Sequence, residues 1–108
     1  MKSIIVSMVA VAGLMVAGST LATEMPELAK KNGCVACHKI DTKLVGPAWM
    51  DVSIKYKGDA TAADMLLNKV SKGGKGTWGT MPMPAQDPTG AKQADIKELV
   101  KFILGLAK

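Results

Sequence analysis

The run Cys34-Val35-Ala36-Cys37-His38 constrains this chain more than any other feature. A C-x-x-C-H pattern reads as a site of covalent haem attachment. On one helical turn, positions i and i+3 share a face. Cys34 and Cys37 can then each add to one vinyl group along a porphyrin edge. His38, four residues past Cys34, falls on that face too and can turn a ring nitrogen to the iron, as a proximal histidine does. Other uses of the pair fit less well. Structural zinc wants four ligands, and the chain holds 2 cysteines and 1 histidine. A thioredoxin-like dithiol needs a βαβ context, and there are no strand runs to build one. A disulfide closing so short a loop stabilises little.

The N-terminal 22 residues are read as a cleaved secretory signal peptide. Lys2 supplies a positive start, Ile4 to Ala17 is an almost unbroken apolar run, and Gly18-Ser19-Thr20-Leu21-Ala22 is the small-residue stretch before a cleavage site. The run is shorter than the roughly 20 apolar residues of a spanning helix. Cleavage after Ala22 is expected, with Thr23 as the mature N-terminus and the periplasm as the place of haem attachment. No second apolar stretch follows, so no membrane insertion of the mature protein is expected.

Residues 23–108 suffice for one domain. A domain this small buries a modest fraction of its surface and usually needs a staple. Its aromatic residues are only Trp49, Tyr56, Trp78 and Phe102, so a haem would supply the missing bulk and stand at the centre of the core. The 14 basic residues, all lysine, outnumber the 9 acids, for a formal net charge of +5. Bidentate recognition of phosphates and bases favours arginine, so nucleic-acid binding is not expected. The lysines read as a solvated surface with docking value.

The domain should be all-α, with about four helices wrapped around one covalently attached haem. Thr23-Glu24-Met25-Pro26-Glu27 looks like a helix start, the helix running to Lys30-Lys31 with Gly33 as a left-handed cap. Trp49, Val52 and Tyr56 form one apolar stripe that ends at Lys57-Gly58. Asp59 or Thr61 caps a third helix whose buried side is Ala62, Ala63, Leu66, Leu67 and Val70, stopped by Lys72-Gly73-Gly74. Gly73 to Thr89 is an irregular loop rich in glycine and proline, a type of long loop that is commonly functional. The last helix opens around Thr89 to Ala91 and runs to Ala107, with Ile96, Leu99, Val100, Ile103 and Leu106 at helical spacing.

With one histidine present, the far side of the iron needs another donor. Methionine leads, because its thioether stabilises ferrous iron and raises the potential. Met25 sits at a frayed start, while Met50 and Met65 lie in helices and read as core filler. Met81 and Met83 lie in the loop, each before a proline, where the backbone is pushed extended. Met83 stands between two prolines that stiffen the chain, which favours it; Met81 is the alternative.

The runs CVACHKIDTKLVGPAW and GTWGTMPMP, with the closing amphipathic helix, resemble the short bacterial class I cytochromes of the cytochrome c-551 (cytochrome c8) type across essentially all of residues 23–108. The resemblance implies a non-enzymatic electron carrier with one low-spin haem c. It makes Met83 the axial partner of His38. Pro47 becomes the carbonyl that accepts the histidine's other ring N–H, and otherwise merely shapes a turn. Trp78 becomes the donor to a haem propionate, and otherwise a cover for the haem edge. Trp49 is a departure, since related chains often carry another aromatic there, and a change of packing rather than chemistry is expected. The implied partners are other redox proteins: a cytochrome bc1-type donor, and a nitrite reductase, oxidase or peroxidase as acceptor. A monomer is expected.

Overall fold

A computed structural model of the protein describes residues 23–107. The signal-peptide reading therefore falls outside the described residues, as does Lys108. Among the described residues there are four α-helices: α1 (Glu27–Lys31), α2 (Trp49–Lys55), α3 (Ala62–Lys72) and α4 (Gln93–Leu104), with a 3₁₀ turn at Cys34–Ala36. Among the described residues the sole β pairing is an isolated antiparallel bridge between Gly74 and Met83.

The helix α4 is the hub, packing on α3, α2 and α1. Its Ile96, Leu99, Val100 and Ile103 recur at helical spacing and are all buried. They join Ala29, Ile40, Trp49, Val52 and Leu66 in one core. Charge follows the helix dipole throughout: Asp64 opens α3 and Lys69 and Lys72 close it, while Asp95 opens α4 and Lys101 closes it.

The helix ends depart from the sequence reading in specific ways. Pro26 precedes α1 as its N-cap, and Met25, expected at a frayed start, packs against the core. Thr61 is the N-cap of α3 but makes no side-chain cap; its N–H and its hydroxyl both donate to Asp59, at 2.8 and 2.7 Å. Ala63, expected on the buried side of α3, is exposed, because the stripe Ala62–Leu66 already fills the face toward α4. The helix α4 begins at Gln93 and not near Thr89, since residues 88–92 are turns. It stops at Leu104, short of Ala107. There Ser53, only 1% exposed, donates its hydroxyl to the Leu104 carbonyl at 3.1 Å and accepts the Ala107 N–H at 2.9 Å. One side chain on α2 thus satisfies two backbone groups at the end of α4 that the helix leaves open.

Candidate haem site

Gly33 adopts φ 74°, the left-handed conformation expected of it, and turns the chain from α1 into the motif. The amides of Cys37 and His38 both donate to the Cys34 carbonyl, at 3.1 and 3.0 Å. In a 3₁₀ turn, positions i and i+3 eclipse, so the local geometry puts Cys34 and Cys37 on one side. No disulfide joins them. Before haem attachment, burial pushes the Cys34 thiol above its ordinary pKa, opposed by a backbone hydrogen bond and aided least by the neighbouring Cys37.

The chain then folds back on His38. Gly46 donates its N–H to the Cys37 carbonyl at 2.7 Å, and Trp49 and Met50 donate to Lys39 and Ile40 at 2.9 and 2.8 Å. This return brings the Pro47 carbonyl to 2.8 Å from His38 Nδ1. A carbonyl only accepts, so Nδ1 is the donor and Nε2 is the ring nitrogen left for ligation. Gly46 is a functional position that reading the sequence passed over as part of a turn. A Cβ there would lie 2.5 Å from His38 Cε1, and its φ is not left-handed, so the requirement is steric. The one available signal was a glycine directly before the proline. Trp49 packs its ring on His38 at 5.8 Å and edge-on against Phe102 at 6.0 Å. Its packing role is real, and part of what it packs against is the histidine itself.

The loop after α3 is pinned by backbone. The Gly74 N–H donates to the Met83 carbonyl at 3.0 Å, and the Met83 N–H donates to the Gly74 carbonyl at 2.8 Å. The preceding Gly73 has φ 79°, and a Cβ on it would meet the Met83 carbonyl oxygen at 2.5 Å. Met83 is half-buried, whereas Met81 is 66% exposed. Met65, read as core filler, is 37% exposed. Trp78 is 39% exposed, with the Lys55 ammonium 5.9 Å from its ring centre.

A cavity of about 370 Å³ is bordered by both segments. Cys34, Cys37, His38, Pro47, Trp78 and Met83 all line it. Met65 and Met81 reach it as well; Met25 and Met50 do not. The buried residues Val52, Leu66, Leu99, Val100 and Ile103 form its apolar lining. Every site residue expected from the sequence is therefore on one cavity.

The cytochrome c family model matches residues 18–107. This chain belongs to the cytochrome c family. It is 48% identical over 99 residues to cytochrome c-552 of Hydrogenobacter thermophilus, an alignment covering 92% of this chain and 94% of the relative. It is 53% identical over 79 residues to cytochrome c-551 of Allochromatium vinosum, covering 73% and 82%. The crystal structure of wild-type Nitrosomonas europaea cytochrome c552 superposes with a TM-score of 0.69 at 45% identity, covering 74% of this chain and 96% of that one. This cytochrome is accordingly a small class I c-type cytochrome with covalently bound haem c, an electron-transfer protein and not an enzyme. The residues present fit that group. The cavity falls within the roughly 300–1,000 Å³ of cofactor pockets, two thiols sit at its edge, and the histidine facing it is held in the tautomer that leaves one nitrogen free to ligate. Among the described residues no helix is long and apolar enough to cross a membrane.

Proposed function

We propose that this cytochrome is a periplasmic carrier of single electrons, with His38 and Met83 as the axial ligands of one low-spin haem and Cys34 and Cys37 as its thioether attachments. The observation that carries the reading is the convergence of these four residues on one cavity, with His38 Nδ1 bonded to the Pro47 carbonyl. When bound, the haem supplies an iron that alternates between ferric and ferrous. The chain does the rest. Pro47 fixes the imidazole tautomer, and Gly46 and Trp49 fix where the ring lies. The Gly74 backbone pair holds Met83 toward the cavity while Met81 is turned largely to solvent. With a protein ligand on each face, no position is left for substrate, which suits a carrier. Trp78 keeps its indole N–H for a haem propionate.

The mature chain begins at Thr23 in this reading, after removal of residues 1–22, and acts as a monomer. Its partners are redox proteins, a cytochrome bc1-type donor and a nitrite reductase, oxidase or peroxidase acceptor.

The test compares Met83→Ala, Met81→Ala and Met65→Ala in the holoprotein. Met83→Ala should abolish the sulfur-to-iron band of the ferric form, lower the potential, and let carbon monoxide or azide bind. The other two should do none of these. If one of them opens the iron and Met83→Ala does not, the ligand is wrongly assigned. Acid–acetone extraction should leave haem on the polypeptide, with a mass equal to the chain from Thr23 plus one haem.

A further inference from the structure

The Met83 loop is fastened at a second place, beyond the methionine. Gln86 and Asp87 donate their N–H groups to the Val70 and Ser71 carbonyls, both at 3.0 Å. These carbonyls belong to the last turn of α3, which has no helical donor for them. Three polar side chains meet at the same spot. The Gln93 Nε2 lies 2.8 Å from Ser71 Oγ and 2.8 Å from Asp87 Oδ2. The Lys92 N–H donates to the same carboxylate oxygen at 3.0 Å. A side-chain amide has two N–H donors, and here each has an acceptor. Ser71 and Asp87 are buried, at 6% and 5% exposed.

One amide therefore joins three pieces of chain: the end of α3, the exit of the Met83 loop and the start of α4. The helices do not need it to find each other, because Leu66, Ile96 and Leu99 already pack there in the core. The loop does. Its remaining tie to the helices on this side is the pair of backbone bonds from Gln86 and Asp87. The segment from Met83 to Asp87 is short and stiff: Pro84 fixes φ, and the Gln86 side chain donates to the Pro84 carbonyl at 2.9 Å. Asp87 and Met83 are the two ends of this one short segment.

We propose that the Ser71–Gln93–Asp87 clasp is a positioning device for Met83, setting how often the loop opens and its thioether leaves the cavity. The proposal rests on Met83 being the iron ligand. Local opening is an equilibrium separate from global unfolding, and an external ligand can reach the iron only from the open state.

The experiment measures the rate of imidazole binding to the ferric holoprotein, together with its reduction potential and unfolding midpoint. Gln93→Ala and Asp87→Ala each remove buried hydrogen bonds of the clasp, and the binding rate should rise about tenfold in each. Asp87→Asn keeps an acceptor oxygen and should bind imidazole more slowly than Asp87→Ala. Ser53→Ala is the structural control: it breaks a buried polar lock between α2 and α4, away from the loop, and should lower the midpoint without speeding imidazole. If Gln93→Ala and Asp87→Ala lower the midpoint but accelerate binding no more than Ser53→Ala does, the clasp is merely structural and the proposal fails. If either does not fold, Ser71→Ala, which removes only the hydroxyl acceptor, decides in the same way. Met83→Ala separates the two ideas: if it leaves the iron closed, the ligand reading falls and takes the clasp with it; if it opens the iron while the clasp variants stay slow, the clasp alone is overturned.

Discussion

The Pro47 carbonyl oxygen lies 2.8 Å from Nδ1 of His38, and the residue just before that proline is a glycine whose Cβ would fall in space the same imidazole fills. Orientation and position of the histidine are thus set by two adjacent residues, one through an acceptor and one through the absence of a Cβ. Gly46→Ala should force the ring to move and cost about 1–3 kcal/mol, as overpacking does. Pro47→Ala keeps the carbonyl and should cost less. Thermal unfolding of the two holoproteins ranks them, and equal losses would mean that the glycine contact is not limiting.

A second glycine sits against Met83. Gly73→Ala would combine a left-handed φ of 79° with a Cβ 2.5 Å from the Met83 carbonyl oxygen. Neither atom is at the end of a flexible side chain, so backbone must give. A loss of about 1–3 kcal/mol is expected, with weakening of the sulfur-to-iron band. An unchanged band would show that the Gly74–Met83 pairing tolerates displacement.

Acid should loosen the clasp. Hydrogen bonds from Gln93 first, and from the backbone of Lys92 and its neighbours, hold the Asp87 carboxyl below the usual carboxylate range, against a smaller opposing effect of burial. A depressed folded pKa stabilises above the unfolded value of about 3.9. That contribution is lost as pH falls through the folded pKa. Denaturation midpoints should therefore separate wild type from Asp87→Asn at pH 7 and converge well below pH 4. A gap that persists at the lowest pH would show that the charge of Asp87 is not what stabilises.

Docking should depend on salt. Lys39, Lys43, Lys72 and Lys75 are exposed, and Lys75 borders the cavity. If they steer an acidic redox partner, electron-transfer rates should fall as ionic strength rises from 0.01 to 0.15 M, where the screening length shortens from about 30 to 8 Å. A flat rate would remove the steering while leaving the carrier role intact.

Much of this protein is local, and what is local could be read from sequence. The thiol and imidazole spacing of residues 34–38 closes within a single turn. The stripes of α3 and α4 repeat at the helical period, and Gly33 marks its own left-handed turn. None of these depends on a distant residue. The choices that finish the site do. Met83 is half-buried and tied through its backbone to Gly74 across the loop, while Met81 is exposed. Gly46 matters only because the chain returns to His38, and Trp49 only because His38 and Phe102 meet its ring. The open backbone groups at the end of α4 find their partner in Ser53, more than fifty residues earlier. Periodicity and capping rules see a few residues along the chain; hydrogen bonds and ring contacts between segments far apart in sequence exist only once the core of α2, α3 and α4 has brought them together.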